Sequence, residues 1–103
     1  MAKIIYTDRK NLEELLKDGT LLLVFYAPWC KPCKMLTPEL EKIAEDNESI
    51  KVIKVNVDEN IALTKDYGVK SIPTILLIKE GTVTKNRQGY ATKEALIEFI
   101  KSE

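Results

Sequence analysis

The pattern of apolar and polar positions divides the chain into short, alternating elements. Lys3 to Tyr6 reads as a first strand, and Asn11 to Lys17 follows with Leu12, Leu15 and Leu16 at helical spacing before Asp18-Gly19 ends it. Thr20 to Tyr26 is leucine-rich, β-branched and aromatic with almost no polar interruption, which predicts a central strand buried on both faces. Beyond Cys33, the residues Leu36, Leu40, Ile43 and Ala44 recur at three- and four-residue intervals between Glu39, Glu41, Lys42 and Glu45. That spacing predicts an amphipathic helix to about Asp46, with Cys33 on its apolar face.

In the second half, Lys51 to Val57 is a β-branched strand, Ile61 to Tyr67 a short helix ended by Gly68, and Thr74 to Lys79 another apolar strand. Glu80-Gly81-Thr82 supplies a turn, and Val83 to Gln88 returns as the other arm of a hairpin. Thr92 then opens a last helix as N-cap, with Glu94 in the first turn and Leu96, Ile97 and Ile100 as the buried stripe. The order β-α-β-α-β-α-β-β-α predicts an α/β domain with helices on both faces of a mixed sheet, because the first part alternates and the end is a hairpin.

Composition narrows the function classes. At 103 residues the chain holds one core, and 45% apolar with 31% charged residues places it among globular proteins rather than disordered or membrane ones. Sixteen basic residues balance sixteen acidic ones without a basic stripe, which argues against nucleic acid or an anionic membrane as partner. The longest apolar run, Leu21 to Tyr26, is far short of a bilayer span. Met1 to Asp8 has no apolar stretch or small-residue cleavage site of the signal-peptide kind, so a cytoplasmic location is expected. The absence of histidine excludes imidazole catalysis and any His-containing metal site, leaving two cysteines as the chemistry.

Cys30 and Cys33 sit in Trp29-Cys30-Lys31-Pro32-Cys33, between a buried strand and the start of a helix. That placement sets the first sulfur at a helix N-terminus, where unpaired amides and the helix dipole favour the thiolate, the nucleophilic form. Two intervening residues keep the second thiol within reach, so a mixed disulfide with a substrate is resolved internally. Pro32 fits the first helical turn, where its missing N–H needs no acceptor. Against redox chemistry stand three plainer readings: two packing cysteines, an inert disulfide, or a zinc site. The last requires two further ligands from carboxylates or a second chain.

The segment Phe25-Tyr26-Ala27-Pro28-Trp29-Cys30-Lys31-Pro32-Cys33-Lys34 resembles the active-site segment of thioredoxins. Pro38 matches the proline that kinks the family's active-site helix, Ser71-Ile72-Pro73-Thr74 its cis-proline loop, and Gly81 and Gly89 its later glycines. The resemblance covers essentially the whole chain. It implies the thioredoxin fold over residues 1–103, a single three-layer domain with a mixed five-stranded sheet flanked by four helices. Cys30 would be the exposed nucleophile and Cys33 the buried resolving thiol. Ile72-Pro73 would be cis and face the cysteines, the Ile72 backbone pairing with an extended substrate segment. Trp29, Ile72, Pro73 and Gly89 would form a flat apolar docking surface, while Lys31, Pro32, Lys54 and Pro73 would tune the redox centre. For Trp29 the plainer alternative is core packing.

Two departures from the family pattern bear on mechanism. The buried aspartate that thioredoxins usually carry six residues before the nucleophile is here Val24, and Lys54 occupies the position of its usual lysine partner. Losing that carboxylate removes the desolvation penalty of a buried charge and leaves resolution by Cys33 to water or a more distant group. Lys54 then either tunes the site or snorkels to water. The second departure is Lys31, where thioredoxins most often have glycine. An ammonium roughly 7 Å from the Cys30 sulfur in near-aqueous dielectric is worth about 0.6 kcal/mol, comparable to the helix-terminus contribution. It favours the thiolate and makes the couple slightly more oxidising, without converting a reductase into an oxidase.

The function so implied is a protein-disulfide reductase that serves cell redox homeostasis. No cofactor motif is present, so electrons come from outside, and the family's usual donor is an NADPH-dependent flavoprotein thioredoxin reductase. Partners are expected to be disulfide-containing proteins and that reductase, with the chain a monomer. A disulfide oxidant or isomerase, or an adaptor whose thiols are incidental, are the alternatives.

Overall fold

The computed structural model describes residues 4–7, 9–17, 19–47 and 49–102. Along them run β1 (Ile4–Tyr6), α1 (Arg9–Leu16), β2 (Thr20–Tyr26), α2 (Lys31–Asp46), β3 (Ile50–Asn56), α3 (Ile61–Asp66), β4 (Thr74–Lys79), β5 (Thr82–Gln88) and α4 (Lys93–Lys101). This is the element order that the hydrophobic pattern predicts. The strands form one five-stranded sheet in the order β1-β3-β2-β4-β5, which puts β2 in the middle. β1, β3 and β2 are parallel, whereas β4 and β5 run antiparallel, so the sheet is mixed.

Strand alternation sorts the apolar side chains into two cores. Leu22 and Val24 of β2, with Val52, Ile75 and Leu77, pack beneath Leu36, Leu40 and Ile43 of α2 and Leu96 of α4. On the opposite face Leu21, Leu23 and Phe25 join Ile53, Val55, Leu76 and Ile78 under Leu12 of α1 and Leu63 of α3. A strand apolar at every position is what two such cores require. The result is three layers, helices over sheet over helices, as the sequence implies.

Boundaries move by a residue or two where a local hydrogen bond intervenes. β3 ends at Asn56, not Val57, because the Asn56 side-chain oxygen accepts from the Asp58 N–H at 2.8 Å and turns the chain away. The Val57 N–H still reaches the Tyr26 carbonyl at 2.9 Å, so the end of β3 stays tied to the end of β2. α3 stops at Asp66, one residue short of its expected end. Gly68, in the left-handed region at φ 68°, donates back to the Lys65 carbonyl at 2.9 Å. α1 begins at Arg9, two residues early, and Lys17 lies beyond its end, while β5 begins at Thr82 opposite Lys79. Lys3 and Asp18, assigned above to a strand and a helix stop, lie outside the described residues.

The central position of β2 makes Phe25, fully buried, a direct probe of the fold. Phe25→Ala is expected to lose about 3–5 kcal/mol of unfolding free energy through lost transfer energy and the cavity left behind. Urea titration of the two proteins measures the difference.

Candidate active site

From Tyr26, the end of the central strand, the chain crosses Ala27-Pro28-Trp29 and enters α2 at Lys31. Cys30 is the N-cap of that helix, with extended backbone (φ −84°, ψ 112°), and its sulfur accepts the Cys33 N–H at 3.3 Å. The sulfur therefore satisfies one of the amides that an N-terminus leaves unpaired. Pro32 lies in the first turn, where no acceptor is left wanting. Cys30 and Cys33 are joined as a disulfide, their Cα atoms 5.2 Å apart.

The exposed nucleophile that the resemblance implies is corrected by this geometry. Cys30 is only 5% exposed and Cys33 3%. Bonded to each other, they pack into a small apolar cluster with Ala27, against which Tyr26, Val57 and Ile72 lean. What faces solvent is Trp29, 68% exposed, so the core-packing alternative for this residue is excluded. Its indole Nε1–H donates to Asp58 Oδ2 at 2.8 Å, which fixes the ring across the turn that follows β3.

The Ile72-Pro73 peptide is cis. Ile72 packs beside the cysteine cluster and shares with Trp29 a shallow groove of about 200 Å³, completed by Val57, Thr64, Val69, Lys70 and Ser71. Pro73 itself is buried and so lies behind the surface, a correction to its place among the docking residues. Its carbonyl accepts the Gly89 N–H at 2.8 Å, and Gly89 holds φ 88°, a conformation open mainly to glycine. Trp29 and Ile72 thus meet in one groove, while Gly89 joins the site through Pro73. Lys31 is exposed at the first helical position, directly after Cys30.

Two residues before the end of β2, Val24 is 1% exposed and stands opposite Lys54 across the β2–β3 ladder. Lys54 does not snorkel, because the residue is 5% exposed. Its Nζ donates to Thr37 Oγ1 at 2.9 Å and lies 4.3 Å from the Tyr26 ring centroid and 5.3 Å from that of Tyr6. The Thr37 hydroxyl in turn donates to the Cys33 carbonyl at 3.2 Å. Burial pushes the Lys54 pKa below its ordinary 10.5, and among the described residues the carboxylate of Glu41 pulls the other way. Desolvation also raises the Tyr26 pKa, with the charges of Tyr6 and Glu59 adding to it and a hydrogen bond from Asn56 opposing it.

Asp58, Thr37, Tyr6 and Tyr26 belong to this site although sequence reasoning did not assign them to it. Thr37 could have been found, since it follows Cys33 by one helical turn, the spacing at which a hydroxyl reaches back to a carbonyl. Asp58 had no such signal, being 29 residues from Trp29. Among the described residues no group of three or more His, Cys, Asp or Glu side chains could hold a metal ion, and no helix is long and apolar enough to cross a membrane.

Residues 3–102 match the family model described as Thioredoxin. The thioredoxin of Rickettsia bellii is 46% identical over 98 residues, covering 93% of each chain, and that of Bacillus subtilis is 42% identical over 101 residues, covering 97% of this chain and 96% of the relative. Among solved structures, a single-residue mutant of a thioredoxin from Halobacterium salinarum superposes with a TM-score of 0.90 at 35% identity, over 96% of this chain and 88% of the other.

The depressed Lys54 pKa has a definite sign in stability. Between the folded-state value and 10.5 the unfolded chain holds a proton that the folded chain has released, so stability rises with pH across that window. Lys54→Met removes the desolvated charge. The variant should be more stable than the parent at pH 7, with its advantage shrinking toward pH 10.5, as urea unfolding at several pH values would show.

Proposed function

The chain belongs to the thioredoxin family and is a thiol-disulfide oxidoreductase, and from that premise we propose which residues carry each step. Cys30 is the nucleophile. The observation that carries this assignment is its sulfur at the α2 N-terminus, accepting the Cys33 N–H beside the groove of Trp29 and Ile72. An acceptor that already receives an amide proton is better still as a thiolate, because a charged acceptor makes the stronger bond.

In the reduced protein the Cys30 thiolate attacks one sulfur of a substrate disulfide. A Cys30–substrate disulfide forms, the substrate S–S bond breaks, and the departing thiolate takes a proton from solvent. Cys33, its thiol proton released to water, then attacks the Cys30 sulfur. The internal disulfide forms and the second substrate thiol leaves, so two electrons and two protons have passed to the substrate. The oxidised pair packed among Ala27, Val57 and Ile72 is the product state of this step. Regeneration needs two electrons from an external reductase, which we assign to an NADPH-dependent flavoprotein.

Substrate proteins dock as an extended segment along the Ile72 backbone, with Trp29 and Ile72 as the apolar floor and Gly89 and Pro73 holding the cis loop in place. Asp58 orients the Trp29 ring through its indole hydrogen bond. Lys31, directly after Cys30, and Lys54, joined to Cys33 through Thr37, add positive charge to the site, while Pro32 and Pro73 shape its surroundings. Residues 1–103 act as one thioredoxin domain, monomeric and cytoplasmic, reducing protein disulfides in the service of redox homeostasis.

Two experiments test these assignments. With an insulin-type disulfide substrate, Cys33→Ser should accumulate a mixed disulfide visible on non-reducing gels, and Cys30→Ser should form none and lose turnover. Retention of turnover by Cys30→Ser would overturn Cys30 as the nucleophile, and a partner's activity that survives Cys30→Ser would identify an adaptor with incidental thiols. Lys31→Gly should lower the midpoint potential at pH 8 by on the order of 10 mV in dilute buffer, a difference that 1 M salt erases by screening. Equilibration against a glutathione series reads it.

A further inference from the structure

Lys54 faces Val24 where the family pattern has its carboxylate partner, and its ammonium is contacted instead from three elements. Its ammonium is enclosed by a hydroxyl on α2, the Tyr26 face on β2 and the Tyr6 face on β1, at 2.9, 4.3 and 5.3 Å. Opposite it on β2 stands Val24, which offers nothing polar. Among the charged and titratable groups around it, Glu41 lies on α2, Tyr6 and Tyr26 on the strands, and Glu59 acts on Tyr26. Among the described residues, the hydrogen bond that the ammonium makes goes to the Thr37 hydroxyl rather than to a carboxylate.

We propose that Thr37 is the positioning residue through which Lys54 acts on Cys33. One hydroxyl makes both bonds: its oxygen accepts from the Lys54 ammonium and its proton goes to the Cys33 carbonyl. A lysine side chain has four flexible carbons and much rotamer freedom, so an anchor is needed to keep its charge at one place. Thr37 supplies that anchor, one helical turn beyond the resolving cysteine. The aromatic faces of Tyr26 and Tyr6 stabilise the cation from the other side without neutralising it.

The chemical consequence is a different way of making the Cys33 thiolate. An aspartate would accept the thiol proton. A fixed cation instead stabilises the thiolate electrostatically, and the proton departs to water. Nothing in the site then has to be neutralised before Cys33 attacks. The inference rests on Cys33 as the resolving thiol, an assignment that the Cys33→Ser trapping experiment tests independently.

The test is the site-resolved titration of the reduced protein with ¹³C-labelled cysteine β-carbons, which requires no turnover. Thr37→Val keeps the shape and removes the hydroxyl. It should move the Cys33 midpoint to higher pH by about half a unit or more, and slow resolution of a preformed mixed disulfide at pH 7 about threefold, the matching change in thiolate fraction. Thr37→Ser should restore both. Lys54→Met provides the same reading if Thr37→Val does not fold, and in the Lys54→Met background Thr37→Val should have no further effect. An unchanged Cys33 midpoint in folded Thr37→Val or Lys54→Met would overturn the proposal. So would an undiminished Thr37→Val shift once Lys54 is gone, since the hydroxyl would then act without the lysine.

Discussion

Burial of β2 on both faces is the constraint from which the rest of the structure follows. Seven residues with almost no polar interruption have a stable place only in the middle of a sheet covered by helices on either side. Leu22 and Val24 commit one face to α2 and α4, and Leu21, Leu23 and Phe25 commit the other to α1 and α3. The redox segment is the continuation of that strand. Cys30 is held where it is because the chain leaves the centre of the sheet there and must immediately begin the helix that covers it.

Most of this architecture was legible because each element carries a strong periodic signal. The α2 stripe of Leu36, Leu40 and Ile43 and the unbroken run in β2 leave little choice of element or of buried face. Thr92 caps α4 as its type and place predict, accepting the Ala95 N–H at 3.2 Å. Boundaries were less legible where a side chain competes with the ladder, as Asn56 does at the end of β3. The sulfur chemistry was readable from the cysteine spacing at a strand–helix junction together with the family resemblance. The cis bond was not readable from its residues, since isomer preference in an X-Pro bond is set by tertiary context, and only the family resemblance supplied it.

The parts of the site that escaped reading share one physical character: they join residues far apart in sequence through polar side chains. Lys54 was recognisable as unusual, but whether it reached water depended on Thr37 and two tyrosines from different strands. Trp29 was recognisable as a surface residue, whereas its fixed orientation depends on Asp58. Apolar periodicity reports which face of an element is buried. It carries no information about which polar group will be waiting on the neighbouring element.

The N-cap role of Cys30 links covalent state to helix mechanics. Capping strength follows the electron density on the accepting atom, and the Cys30 sulfur carries most as a thiolate and less when bonded to another sulfur. The contact that caps α2 is therefore stronger with a thiolate than with a disulfide sulfur. The Cys33 amide, buried and held by that contact, becomes a built-in gauge of how many electrons the protein is carrying.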